Sequence, residues 1–193
     1  MSSGQGVALA PEHVAAAFAR RAEPVAALGA GADALAAACR AMAQRFHRGG
    51  RLLAMGTGAS AADVAHVVVE FVHPVIVGKR ALPALALPDG GSTASVELFG
   101  GPDDIALVFS ADGQSPVLAE AMAAAARRGL LTVALLGAGP DGAGGAIGAV
   151  AGLDHVIVVP STDPRVVREA HVTAYHVLWE LVHVFFDAPE VLT

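Results

Sequence analysis

Two pairs of histidine and glutamate, each four residues apart, are the residues of this sequence best suited to chemistry. His66 and Glu70 form the first pair, and His176 and Glu180 form the second. Residues four apart lie on one face of a helix, so each imidazole is expected beside a carboxylate. Such a pair can share a proton, bind a metal ion, or act as general acid and base. A partly buried ion pair with a purely structural role is the alternative, and the spacing alone leaves both open.

Two polar turns that follow predicted strands are candidate anion sites. The first spans 56–60 and the second spans 110–116, and both combine glycine with hydroxyl side chains. In parallel sheets, ligands bind beyond the carboxyl ends of the strands, where helix N-termini present free N–H groups. Neither turn matches a P-loop or a G-x-G-x-x-G motif, which disfavours nucleotides. Hydroxyls on two neighbouring strands predict a phosphate site.

Helix capping is the structural alternative for both turns. Ser60 and Asp63 have the spacing of a capping box, in which both side chains satisfy N–H groups at the helix start. Ser115 before Pro116 is likewise a typical helix start. Ser110, at the end of its strand, is not explained by capping.

The elements that would position these residues alternate between apolar strands and helical segments. This alternation predicts a three-layer α-β-α sandwich with a mainly parallel sheet of flavodoxin-like order, preceded by an N-terminal helical hairpin. A weak helix is expected within the glycine-rich segment 137–148. The predicted helices span 11–27, 31–47, 60–72, 116–128 and 164–186, and the predicted strands span 51–55, 82–87, 105–109, 131–136 and 155–159.

Composition supports one folded domain. Of the 193 residues, 54 % are apolar and only 16 % are charged, which excludes an intrinsically disordered chain. This length is typical of a single domain, predicted over 11–187 between tails at 1–10 and 188–193. The excess of apolar residues indicates a buried sheet and a subunit interface.

Charge and cysteine usage bear on partners and location. The net charge of −6, with scattered basic residues, argues against direct binding of nucleic acid. No apolar run reaches the roughly 18 residues that span a bilayer, and no signal peptide is visible, so no membrane partner is expected. The lone Cys39 has no partner for an internal disulfide, which favours the cytoplasm.

Several motifs together resemble the sugar isomerase (SIS) domain family, and its phosphoheptose isomerase branch most closely. They are the run 53–63, with His66 and Glu70 beyond it, the Ser-x-x-Gly-x-Ser turn, the segment 82–87, and the closing motif 168–176. The resemblance covers nearly the whole chain. It implies an aldose–ketose isomerase that binds a sugar phosphate, in a homotetramer with sites between subunits.

The resemblance also implies roles for single residues. Glu70 would be the base that moves a proton between C1 and C2 of the sugar, and His176 the acid that assists ring opening. No cofactor is required for this chemistry, but some relatives bind zinc, for which His66, Glu70 and His176 are the candidate ligands here. The implied substrate-binding residues are Gly58, Ser60, Ser110, Asp112, Ser115 and Arg168.

This sequence departs from the family pattern around the expected phosphate. The family loop Ser-Thr-Ser-Gly-Asn-Ser is Ser-Ala-Asp-Gly-Gln-Ser here, which places the carboxylate of Asp112 beside the ligand. The family's arginine four residues after the base is Pro74, for which Lys79 and Arg80 are candidate substitutes. A unit charge about 4 Å from another of the same sign costs roughly 4 kcal/mol at an effective dielectric constant of 20.

Two further departures favour an alternative function. Arg168 stands at the position of a glutamine zinc ligand, and the stretch 87–105 is shorter than usual by about one helix. A non-catalytic scaffold or regulatory module, similar to the DnaA initiator-associating proteins, is therefore the alternative. In a third hypothesis the site has changed its ligand, and Asp112 either accepts hydrogen bonds from sugar hydroxyls or pairs with Arg168.

Overall fold

A computed structural model describes residues 10–188 and 190. Most of the two predicted tails therefore lies outside the described residues. Five parallel strands form one sheet in the order β2-β1-β3-β4-β5, which confirms the predicted flavodoxin-like order. The strands are β1 (Leu52–Met55), β2 (Ala84–Ala86), β3 (Ile105–Ser110), β4 (Leu131–Gly137) and β5 (His155–Val159).

Helices cover both faces of this sheet, which confirms the three-layer sandwich. Every residue of the three central strands β1, β3 and β4 is buried, as expected where both faces are covered. The helices are α1 (Pro11–Ala30), α2 (Ala32–His47), α3 (Ala61–Val72), α4 (Thr93–Phe99), α5 (Pro116–Arg127), α6 (Gly145–Gly148) and α7 (Pro164–Asp187).

Alternate strand residues belong to two separate cores. Leu52, Leu107 and Val133 pack in one core with α2, α3 and α7. Leu53 and Val108 point to the opposite face and pack in a second core with α4, α5 and α6. The helices α3 and α7 therefore lie on the same face of the sheet, where they contact each other.

The two predicted N-terminal helices are present, and they meet at Gly31 with a bend of 65°. One face of α2 is apolar and buried, with Cys39, Met42 and Phe46 in the core. Burial raises the pKa of the Cys39 thiol to about 12, so this cysteine is a core side chain rather than a nucleophile.

The stretch 87–105, for which the sequence predicted no helix, contains α4. Ser92 and Ser95 form a capping box at its start: the Ser92 hydroxyl accepts the Ser95 N–H, and the Ser95 hydroxyl accepts the Ser92 N–H. Strand β2 is shorter than predicted, because pairing with β1 is confined to three residues.

No single helix among residues 10–188 is long and apolar enough to cross a membrane. The pair α1 and α2 passes that test only when both are counted together across their 65° bend.

Candidate active site

A cavity of about 400 Å³ lies at the carboxyl ends of β1 and β3. These strands are direct neighbours in the sheet, so the two predicted polar turns meet there. The cavity is lined by Thr57, Ala59, Ser60, Phe109, Ser110, Ala111, Asp112, Gln114 and Ser115.

The predicted capping box of Ser60 and Asp63 is wrong. Residues 58–60 form a 3-10 turn, and Ser60 enters α3 with helical dihedral angles instead of the extended ones of a capping residue. Within the described chain its side chain makes no capping hydrogen bond, so its hydroxyl is free for a ligand. Gly58 adopts φ +59°, which favours glycine, and is not among the residues that line the cavity.

The second turn is held together by its own side chains. Ser115 caps α5, as predicted, by accepting the Leu118 N–H. The Ser110 hydroxyl accepts the Gly113 N–H at 3.0 Å, which keeps it at the strand end. Asp112 accepts the hydroxyl of Ser110 as well as the Gln114 N–H.

Arg168 pairs with Asp63, so the hypothesis of a pairing between Arg168 and Asp112 is wrong. Its Nε donates to one carboxylate oxygen at 2.8 Å, and its Nη2 donates to the other at 3.3 Å. Asp63 is only 3 % exposed, and its carboxylate raises the pKa of the Arg168 guanidinium. The two residues join the first turns of α3 and α7.

Neither candidate substitute for the family arginine lies at the cavity. Lys79 forms an ion pair with Asp187 near the end of α7, and Arg80 stacks over the Phe186 ring. The expectation that they compensate for Pro74 is therefore wrong.

Glu70 lies between two histidines from different helices. Its Oε1 is 3.1 Å from Nε2 of His66 and 3.8 Å from Nε2 of His176. The Glu70 side chain is 10 % exposed, whereas both imidazoles are more than 40 % exposed. The predicted pair of His66 and Glu70 is confirmed, but the carboxylate nearest His176 is Glu70 and not Glu180.

Tyr175 orients this cluster through a hydrogen bond to His66. Its hydroxyl lies 2.6 Å from Nδ1 of His66. Burial, with Asp63 and Glu70 nearby, raises the pKa of Tyr175 to about 12, so the phenol stays protonated and donates to Nδ1. The His66 proton then lies on Nε2, which faces Glu70. The sequence signal that could have indicated this role is the position of Tyr175 directly before His176, the candidate acid.

The same three side chains suit a metal ion. Ligand atoms of His66, Glu70 and His176 all lie within 4.8 Å of one another. Four ligands at the usual Zn–N and Zn–O lengths of about 2.05 Å stand about 3.3 Å apart, close to the observed separations. Arg168, the fourth family position, is a cation engaged by Asp63, so three protein ligands and an open position fit this chain.

The other two histidines of α7 are core residues. His183 is buried and contacts the carbonyl oxygens of Trp179 and Arg80 through its two ring nitrogens. His171 is buried against Phe109, and within the described residues neither of its nitrogens has a hydrogen bond of regular geometry. Burial lowers the pKa of His171 to about 4, although the nearby Leu136 carbonyl partly opposes the shift.

His171 is expected to make stability depend on pH. The folded-state pKa of His171, about 4, lies below the unfolded value near 6.5, so the unfolded state takes up the proton first as the pH falls. The free energy of unfolding is therefore highest near pH 7, as far as His171 is concerned, and decreases as the pH falls from about 6.5 to 4. Between pH 7 and 5 the loss is about 2 kcal/mol. Urea unfolding should show this loss in the wild type and a smaller one in His171→Leu, in which the other titrating groups are unchanged. Equal losses in both proteins would contradict the assignment.

Comparisons with known sequences point to one family. A sequence profile of the SIS domain matches residues 17–137. The phosphoheptose isomerase of Solidesulfovibrio magneticus is 34 % identical over 174 residues, which covers 81 % of either chain. That of Chlorobaculum tepidum is 36 % identical over 168 residues and covers 78 % of either chain.

Solved structures show the same fold. A phosphoheptose isomerase from Francisella tularensis has a TM-score of 0.79 at 24 % identity, and one from Neisseria gonorrhoeae has 0.76 at 26 %. Each match covers 89 % of this chain and 97 % of the other.

Proposed function

Because the chain belongs to the SIS domain family, we propose that it is an aldose–ketose isomerase that acts on a sugar phosphate of the phosphoheptose type. The observation that carries this proposal is the largely buried carboxylate of Glu70, held between His66 and His176. The named relatives are phosphoheptose isomerases, which favours this activity over the non-catalytic module.

The proposed mechanism needs one base and one acid. The carboxylate of Glu70 removes the proton from C2 of the open-chain aldose, and an enediol is formed as electrons move to the carbonyl oxygen. Glu70 then returns the proton to C1, which gives the ketose. His176 moves the hydroxyl proton between O1 and O2, and His66 holds Glu70 in place. Atoms and charge balance without any co-reactant.

The remainder of the substrate would reach the cavity at the strand ends. Ser60 and Ser115 offer hydroxyls there, and the N-terminus of α5 offers its positive dipole end. Arg168 lies on α7, where its ion pair with Asp63 fixes its position.

The direct test is isotope exchange. Purified protein in deuterium oxide should exchange a C1 proton of the ketose sedoheptulose 7-phosphate and convert the sugar into its aldose isomer. A protein that catalyses neither process contradicts the proposal for this substrate.

A zinc ion is a proposed optional ligand of the same residues. His66, Glu70 and His176 would hold it, and it would polarise the carbonyl of the sugar when bound. Binding requires neutral imidazoles, so zinc affinity should fall at acid pH.

Tyr175→Phe tests this metal site without removing a ligand. With a metal ion on Nε2 of His66, the ring proton would lie on Nδ1 and would be donated to the Tyr175 oxygen, the reverse of the metal-free direction. Loss of such an outer hydrogen bond typically lowers metal affinity by about 10- to 100-fold. Competition with a chromophoric chelator should show such a loss for Tyr175→Phe and none for His13→Ala, which alters an exposed histidine on α1. Unchanged affinity in Tyr175→Phe would contradict the role of the phenol.

A cytoplasmic homotetramer is also proposed. Exposed apolar side chains support an interface: Phe18 is 72 % exposed and Val77 is fully exposed. The lone buried thiol of Cys39 supports a reducing compartment. Light scattering should give about four times the chain mass of 19.3 kDa; the mass of a monomer would contradict the tetramer.

A further inference from the structure

The cavity at the strand ends has a negative charge and no positive one. Among the lining residues that the structure describes, Asp112 is the only ionisable side chain. Lysine, arginine and histidine are absent from that lining. Among the described residues of this one chain, an anionic ligand in the cavity would therefore meet helix N–H groups and hydroxyls but no cationic side chain.

Asp112 also occupies donors that an anion would use. Its Oδ1 accepts the Gln114 N–H at 3.0 Å and the Ser110 hydroxyl at 3.2 Å. Both donors lie just before α5, where backbone N–H groups and the helix dipole favour a negative charge. In this structure the protein's own carboxylate takes that place.

The second carboxylate oxygen of Asp112 is available to accept a hydrogen bond from a ligand. Oδ2 of Asp112 has no hydrogen-bond partner within the part of the chain that the structure describes, and the side chain is exposed. A sugar hydroxyl can donate to this oxygen. A fully ionised phosphate group has no proton to donate and is repelled by it.

We propose that Asp112 is a specificity-determining residue that weakens the binding of phosphate in this cavity. The difference in affinity between a sugar phosphate and the same sugar without phosphate is therefore smaller than it would be without this carboxylate. The inference rests on the proposed function in one respect: the cavity receives the phosphate end of the substrate. A bound phosphate must lie beside the Asp112 carboxylate or displace it from the Gln114 N–H.

Asp112→Asn isolates the charge, because the asparagine oxygen can still accept both hydrogen bonds. The matched control is Asp141→Asn: Asp141 accepts the N–H groups of Ala143 and Gly145 in the adjacent loop, so that variant also removes one negative charge. Gly144 of that loop approaches Gly113 closely, which places the two loops side by side. Asp112→Ser is a second variant, in which the carboxylate is absent altogether.

The probe is inorganic phosphate at pH 8, followed by isothermal titration calorimetry. We expect at least tenfold tighter binding to Asp112→Asn and Asp112→Ser than to the wild type, and a change of less than twofold in Asp141→Asn. The proposal is overturned if the Asp112 variants match the wild type, if Asp141→Asn gains as much, or if none of the proteins binds phosphate.

Phosphate binding needs no catalysis, so this test is independent of the isomerase assay. Tighter binding to the Asp112 variants with no C1 proton exchange by any protein would support the inference and contradict the proposed activity. Normal proton exchange with no gain in phosphate affinity would contradict the inference and support the proposed activity.

Discussion

Glu70→Gln is expected to lower the rate of C1 proton exchange in sedoheptulose 7-phosphate, and of its isomerisation, by about 10²- to 10⁴-fold, the usual contribution of a positioned general base. Glutamine has nearly the same shape as glutamate but cannot accept the proton from carbon at neutral pH. The side chain is 10 % exposed and faces two imidazoles, so an amide can fill the same space with little change in packing. The measurement is the initial rate of deuterium incorporation from deuterium oxide.

Glu180→Gln is the matched control for this prediction. Glu180 is an exposed carboxylate on α7, one turn beyond His176, and it is not the carboxylate nearest that histidine. Its variant should retain wild-type activity. Both variants should be measured with and without a chelator, which separates loss of the base from loss of a metal ligand. A Glu70→Gln rate within tenfold of the wild type would remove Glu70 from the mechanism.

Much of the fold is predictable because its determinants are local. The strands around Leu53 and Leu135 are short apolar runs bounded by glycine or polar turns, and those runs fix the alternation of elements. The start of α5 was also predictable, since Ser115 and Pro116 act within one turn of chain. The meeting of both polar turns follows from strand order, which parallel connections largely determine.

The site was predictable only where its contacts are local. The pair of His66 and Glu70 is one helical turn apart, and its contact follows from that spacing. The partners of His66 and Asp63 on α7 are more than 100 residues away, and which face of α7 meets α3 depends on packing of the whole layer. For this reason the contact of Tyr175 with His66 could not be predicted from the sequence.

The failed capping prediction has the same origin. Asp63 has the spacing of a capping residue, but its carboxylate instead accepts two hydrogen bonds from the Arg168 guanidinium, which are stronger because both groups are charged. The helix α4 was missed because its signal is a capping box of two serines in a short segment with little periodicity.

Arg168→Met is expected to lower the free energy of unfolding by about 3 kcal/mol at pH 7, because it leaves the buried carboxylate of Asp63 without its countercharge. This value is at the lower end of the range for broken buried pairs, since Arg168 is itself 32 % exposed. The matched control is Arg165→Met on the same helix: Arg165 pairs with Asp163 in solvent, and its loss should cost less than about 1 kcal/mol.

The double variant Asp63→Ala with Arg168→Met tests whether the ion pair of Asp63 and Arg168 has a structural role or whether Arg168 serves the substrate. If the cost of Arg168→Met comes from the orphaned carboxylate, removing Asp63 as well should restore part of the stability. Urea unfolding of the wild type, both single variants and the double variant gives the coupling free energy. A double variant less stable than Arg168→Met, or an Arg168→Met no less stable than Arg165→Met, would contradict a structural role. Arg168 would then be free to serve the substrate, as the family position implies, and its loss should instead raise the KM of the isomerase.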